Sequence, residues 1–209
     1  MPTKVIHVIG AGGHGKVVLD ALFALNIDTN TVVLRDVAEE YLGQTVLNLP
    51  VEIGYPDVES AGQFFHLAIG NSQAREHVYF LLIKLQMIPF TIIHPKAIIS
   101  RFSSLAQGVF VAASAVVGPL ASIGNSTIIN HGAVVDHDCI VGDFCHVAPG
   151  ATLGGGVKLG HHVFIGAGAN ILPQISIGDF SVIGAGAVVT ENVPTASTFV
   201  GIPAKKIRG

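Results

Sequence analysis

Charge is scarce in this 209-residue chain: 12% of its residues are Asp, Glu, Lys or Arg, about half the share usual in soluble proteins. The net charge of −3 gives no general electrostatic reason to seek nucleic acid or an anionic membrane surface. Cysteine is scarce as well. Cys139 and Cys145 stand six residues apart and read as small inward-facing side chains in a reducing, cytoplasmic compartment. They do not make a disulfide framework. From Phe102 to Val135 no residue carries a formal charge, but this is not a membrane span. Gly108, Gly118, Pro119, Gly124, Asn125, Asn130 and Gly132 interrupt it, and no insertion into a membrane is expected. The N-terminal MPTKVIHVIGAGGHGK has glycines and a histidine within its apolar stretch. It is expected to be a first strand and turn, not a signal peptide.

What the chain has in abundance is a period of six. From Ile93 to Val189 every sixth residue is aliphatic, as in Val111, Val117, Ile123, Ile129, Val135 and Val141. Four places after each comes a second small or aliphatic residue, such as Val109, Ala115 and Ala187. A glycine often follows the aliphatic residue directly, as at Gly118, Gly124, Gly142, Gly154, Gly160 and Gly166. A hexad of this kind makes a short strand and a corner. Three hexads make one coil of a triangular prism, whose inward residues are buried only when coils stack. Prisms of this repeat class are left-handed parallel β-helices.

The first ninety residues follow another plan. Lys4–Gly10 reads as a buried strand, Gly10–Gly15 as a glycine turn, Lys16–Asn26 as an amphipathic helix and Thr31–Leu34 as a second strand. His66–Ile69 reads as a third strand, and Asn71-Ser72 as the cap of a helix reaching about Gln86. This is a Rossmann-like α/β domain with a small parallel sheet, expected over residues 1–90. An all-β left-handed parallel β-helix over 91–194 and a terminal segment over 195–209 complete the chain.

Two motifs carry chemistry. Gly10-x-Gly12-x-x-Gly15 follows a strand and opens a helix, with Asp36 further on. This pattern rests a phosphate on backbone N–H groups at a helix N-terminus. Ninety residues are half of a full dinucleotide domain, so a nucleotide-diphosphate sugar suits the site better than NAD. In the prism, Asp136-His137-Asp138-Cys139 and Phe144-Cys145-His146 place titratable groups on an otherwise apolar ladder. An outward histidine beside a carboxylate suits a general base. His131 falls six residues before His137, on another face, so the histidines of the prism are not expected to converge on a metal.

The glycine turn, Leu67-Ala-Ile-Gly-Asn71, Ile93-His-Pro95, Asp136-His-Asp-Cys139, Phe144-Cys-His146 and Gly201-Ile-Pro-Ala-Lys205 occur in this order. Together they resemble the bacterial hexapeptide-repeat nucleotide-sugar acetyltransferases, both bacillosamine- and perosamine-type N-acetyltransferases and the related sialic acid O-acetyltransferases. The resemblance implies an acetyl-CoA-dependent homotrimer of surface-glycan biosynthesis that needs no metal. It implies His137 as base and Asp138 as its orienting acid. It places Gly12, Gly13, His14, Gly15, Asp36, Asn71 and His146 toward the nucleotide sugar, and His146, Gly155, Ala167 and Lys205 toward CoA. The acceptor it implies is a 4-amino sugar, with O-acetylation of a sialic acid as the alternative. Where members often carry paired acidic residues this chain has Arg35-Asp36, so the family's base preference does not transfer.

Overall fold

The computed structural model describes residues 5–208; residues 1–4, including Lys4 of the expected first strand, and Gly209 lie outside them. The chain divides into two compact units, Met1–Pro95 and Lys96–Gly209.

In the first unit the chain runs β1 (Ile6–Ile9), α1 (Gly13–Ala24), β2 (Val32–Asp36), β3 (Thr45–Val46), β4 (Leu49–Ile53), β5 (Phe64–Leu67), α2 (Ser72–Lys84) and β6 (Ile88–Pro89). The sheet order is β3-β4-β2-β1-β5-β6. All pairings are parallel except β3 with β4. Buried along its whole length, β1 lies at the centre. The chain leaves β1 toward β2 on one side and returns to β5 on the other. The crevice outside the strand ends at such a reversal is where open α/β sheets bind ligands.

Three details depart from the sequence reading. The helix α1 starts inside the glycine turn at Gly13, with Gly12 as an N-cap that has no side-chain bond. Strand β5 begins two residues early, because Phe64 and Phe65 are in register with Ile6 and His7. The β3–β4 hairpin was not anticipated. Its turn residues Leu47 and Asn48 both have positive φ, 47° and 68°, without the Asn-Gly or Asp-Gly pair that usually announces such a turn. The cap of α2 is as expected, with Asn71 Oδ1 accepting the Ala74 N–H at 2.9 Å.

The second unit is a hexapeptide-type parallel β-helix. Within the repeats its strands are two residues long and pair with the strand 18 residues onward, as Val116↔Val134, Ser122↔Ile140 and Ile128↔His146; Thr198–Val200 and Lys205–Arg208 end the unit as a longer antiparallel pair. Three sheets result. One holds Phe110–Val111, Ile128–Ile129, His146–Val147, Phe164–Ile165 and Val182–Ile183; the second holds Val116–Val117, Val134–Val135, Thr152–Leu153 and Asn170–Ile171; the third holds Ser122–Ile123, Ile140–Val141, Lys158–Leu159 and Ser176–Ile177. The second residue of each pair points inward, and from Val111 to Val189 that column is buried. Ile99 and Leu105 are half-buried, since their strands end their sheets. Cys139 and Cys145 are thiols, not a disulfide, and lie buried in the second inward column.

The glycines after the inward aliphatics have a steric cause. A Cβ on Gly142 would lie 2.5 Å from the Gly160 carbonyl oxygen, and one on Gly166 would lie 2.5 Å from the Ala185 nitrogen. Coils pass at backbone contact there. A second six-residue pattern appears at the corners, where Gly108, Ser114, Leu120, Ser126, Gly132, Asp138, Phe144 and Gly150 all have positive φ. Bulky residues rarely take this left-handed conformation; here the hydrogen bonds of the coil below and above impose it. No described helix is long and apolar enough to cross a membrane.

Ile165 is fully buried between Val147 and Ile183. Ile165→Ala is expected to cost about 2–5 kcal/mol of unfolding free energy and Ile165→Val about 0.5–1.5 kcal/mol. Denaturant titration monitored by circular dichroism measures both.

Candidate active site

His137 and Asp138 form the corner between strands Val134–Val135 and Ile140–Val141. Asp136 shapes the turn, its Oδ1 accepting the His137 N–H at 2.7 Å. Asp138 has φ 59°, a conformation that Asp tolerates because its short polar side chain bonds locally. Its Oδ2 stands 2.7 Å from His137 Nδ1. A carboxylate only accepts, so Nδ1–H donates and Nε2 keeps the lone pair. The Asp138 hydrogen bond, and after it the Asp136 charge, raise the His137 pKa above its ordinary value of 6.5. Both side chains are more than half exposed, so a substrate can reach the imidazole.

One coil onward lies Gly155. A Cβ there would sit 2.5 Å from both Cε1 and Nε2 of His137. Only glycine lets the ring lie across this corner. The Gly156 N–H donates to the His137 carbonyl at 2.9 Å, and the Gln174 N–H to the Gly155 carbonyl at 3.0 Å. The Gly155 N–H donates to no acceptor among the described residues. An electron-pair donor and a backbone N–H are thus held side by side.

His146 belongs to a second group. It lies on the strand face between Ile128 and Phe164, with Nε2 3.2 Å from Asn130 Nδ2 and its ring edge-on to Phe164 at 5.3 Å. Asn130 also accepts the His131 N–H at 2.8 Å. In one chain His146 is on a strand face and His137 on a corner joining the other two faces, so these two are not brought together. His131 and Ala167 occupy the corner column after the His146 face, both exposed. Lys205 is exposed on the last strand, 3.7 Å from Glu191. Among the described residues no group of three or more His, Cys, Asp or Glu could hold a metal ion.

The first unit has a cleft of about 320 Å³ at the strand ends, lined by residues that include Gly10, Gly12, Asp36, Tyr41 and Tyr55. Gly13, His14, Gly15 and Asn71 stand outside this lining. Gly15 has a packing duty, since a Cβ there would clash with the Gly10 carbonyl oxygen. Asp36 Oδ2 accepts the Ala11 N–H at 2.7 Å and Oδ1 the Ala38 N–H at 2.9 Å. Arg35 points elsewhere: its Nη2 pairs with Glu52 at 2.7 Å and its Nε donates to His7 Nδ1 at 3.1 Å. His7 in turn donates from Nε2 to Gln63 Oε1 at 2.6 Å. Its pKa is lowered, chiefly by burial, which keeps it neutral as this bonding requires. Of Arg35 and Asp36, only Asp36 lines the cleft.

The N-terminal part matches the model of the PglD N-terminal domain over residues 5–81. The prism matches the bacterial transferase hexapeptide model (six repeats) over 121–155 and 156–191. Perosamine N-acetyltransferase from Caulobacter crescentus, solved as a histidine-to-asparagine variant with CoA and GDP-perosamine, superposes with a TM-score of 0.91. It is 34% identical over 98% of this chain and 97% of that one. The chain belongs to the hexapeptide-repeat nucleotide-sugar acetyltransferases. The acetyltransferase domain of PglB from Neisseria gonorrhoeae, with acetyl coenzyme A, is another such acetyltransferase of the same build (TM-score 0.88, 33% identity, 98% and 100% covered). Curated relatives match short segments. Serine acetyltransferase from Buchnera aphidicola is 56% identical over 43 residues, 21% of this chain and 16% of that protein. Galactoside O-acetyltransferase from Escherichia coli is 44% identical over 48 residues, 23% of this chain and 24% of that protein. The chain thus spans less than a quarter of the length of either.

For an acetyltransferase of this family, three residues near the cleft escaped sequence reasoning. Tyr41 and Tyr55 lie in a segment that carries no motif. Arg75 is fully buried and donates from Nη1 to the carbonyls of Ile69 at 2.7 Å and Gly70 at 3.0 Å, fixing the loop at the cleft wall. A charged residue on the inward face of the Asn71-capped helix was the available signal.

The His137 ring should titrate above 6.5, and Asp138→Asn, which keeps a residue tolerant of positive φ, should move the midpoint down. Replacing the charged acceptor removes the largest stabiliser of the imidazolium. An NMR titration of the His137 Cε1 proton in both proteins reads this directly. A midpoint that does not fall in the variant would contradict the assigned hydrogen bond.

Proposed function

We propose that the chain transfers the acetyl group of acetyl-CoA to the 4-amino group of a nucleotide-linked amino sugar of the bacillosamine or perosamine type, in surface-glycan biosynthesis. The observation that carries the proposal is the His137–Asp138 pair with its free Nε2 lying across Gly155. His137 takes the proton from the attacking amine, and Asp138 holds the ring in the productive tautomer. The amine nitrogen bonds to the thioester carbon, and the Gly155 N–H stabilises the oxyanion that forms. As the intermediate collapses, the C–S bond breaks and the proton on His137 passes to the departing thiolate. Neither a metal nor an acyl-enzyme enters this sequence.

The remaining residues take supporting roles. The first unit holds the nucleotide at Gly12, Gly13, His14, Gly15 and Asp36. Asn71 contributes through its amide nitrogen, because its oxygen already caps α2. His146 and Ala167 line the path of CoA, and Lys205 meets phosphate. Because His137 and His146 occupy different sides of one prism, a homotrimer supplies them to one groove from adjacent copies. The relatives bound to CoA, acetyl-CoA and GDP-perosamine support this reading of cosubstrate and acceptor.

His137→Ala is expected to lower kcat by about 10²–10⁴-fold, Asp138→Asn by less, and His131→Ala least, with the assembled state unchanged by light scattering. In a thiol-release assay the base must be neutral, so kcat/KM should rise with pH through a midpoint above 6.5. Asp138→Asn should shift that limb to lower pH. A His131 variant that loses more activity than the His137 variant overturns the assignment.

A further inference from the structure

We infer that Gln174 is a positioning residue of the transfer: its side-chain amide pins the Gly155–Gly156 peptide and so holds the Gly155 N–H beside Nε2 of His137. The inference rests on the proposal that this N–H stabilises the oxyanion. It starts from the run Gly154-Gly155-Gly156, in which each glycine makes room for a different neighbour. A Cβ on Gly154 would lie 2.9 Å from the Pro173 nitrogen, and one on Gly155 would lie 2.5 Å from His137 Nε2. One on Gly156 would run into the Gln174 side-chain amide. The imidazole of the coil before and the amide of the coil after therefore both lie against this corner.

Three consecutive glycines have more backbone freedom than any other tripeptide. A donor meant for developing charge must already be fixed when that charge appears. The Gly155–Gly156 peptide is fixed at both ends. Its N–H donates to the His137 carbonyl at 2.9 Å, and its carbonyl accepts the Gln174 backbone N–H at 3.0 Å. Bonds like the latter recur at other left-handed corners, as from the Phe144 N–H to the Asn125 carbonyl at 2.8 Å and from the Phe180 N–H to the His161 carbonyl at 2.9 Å. They serve the stack in general. At Gln174 a further bond is added: Nε2 donates to the same Gly155 carbonyl at 3.4 Å, so both lone pairs of that oxygen are used. Leu120, Asp138, Gly156 and Gln174 are successive left-handed positions of one corner column. Asp138 turns its side chain to the His137 ring, and Gln174 turns its own to the backbone that the ring lies across. The base and the oxyanion donor thus each have a neighbour that orients them.

Gln174→Gly tests this without burdening the fold. It deletes the amide, keeps the backbone N–H bond and suits the φ of 64° at this position. The assay is thiol release by the full chain from acetyl-CoA, with GDP-perosamine and a UDP-linked 4-amino sugar as acceptors. Gln174→Gly should lower kcat about 3–10-fold, the worth of one neutral hydrogen bond. KM for acetyl-CoA should hold, because the donor acts on charge present only in the transition state. The thermal midpoint of this variant and the NMR titration midpoint of its His137 should also hold. Gln174→Glu keeps the chain length but cannot donate when ionised, and should lose at least as much activity. An unchanged kcat in either variant overturns the positioning role and leaves His137 standing. So does a Gln174→Gly protein whose KM rises, whose thermal midpoint falls or whose His137 midpoint moves. If the wild-type chain acetylates neither acceptor, or His137→Ala keeps full activity, the proposed function or its site is wrong and the inference falls with it.

Discussion

The prism closes each coil in eighteen residues, and everything in the second unit follows from that closure. Two-residue strands are too short to be stable alone; they gain from the backbone bonds of the coils on either side, as in Val134 N–H to the Ala151 carbonyl. Those bonds form only if each corner turns by the same amount. Hence the left-handed residue at every sixth position, including Leu120, Phe144 and His162, where a bulky side chain takes a conformation normally left to glycine. The cost is spread over the stack. Phe144, His162 and Phe180 sit one above another at such corners with rings stacked at 5.4 and 4.6 Å, so the turn that strains the backbone also aligns the aromatic column.

The same closure builds the site. His137 and Gly155 are one coil apart, and the repeat puts the ring of the first over the backbone of the second without any dedicated loop. Asp138 can both take the left-handed conformation that the corner demands and bond the imidazole beside it. Structural need and chemical need are met by one residue. The first unit works differently, with its cleft assembled from the ends of separate strands and from two connections, carrying Tyr41 and Tyr55, that are specified by no local rule.

This contrast explains what could be read in advance. The inward columns, the glycines that admit the next coil, the Gly10–Gly15 turn and the Asn71 cap are local patterns, and each was visible as spacing. The corner rule was not, because serine, leucine, aspartate, phenylalanine and glycine all occupy it and no composition marks it. The hairpin Thr45–Ile53 was missed because Leu47-Asn48 does not look like a turn. That Arg35 serves Glu52 and His7 could not be told from its place beside Asp36; it depends on which side of the sheet β4 presents. His146 was singled out through family resemblance, and in one chain its bond to Asn130 gives no hint of a shared task with His137.

A scaffold whose register is carried by every coil has a particular evolutionary grammar. Gain or loss of one residue within the repeats would send the inward column outward for the remainder of the prism and slide the ring of His137 off Gly155. Gain of a whole coil outside residues 137–155 would disturb neither. The repeat therefore accommodates lengthening or shortening in steps of three hexads, extending the wall of the prism while leaving the corner at His137 unchanged. Length then changes by whole coils, and the geometry of the corner persists across each step.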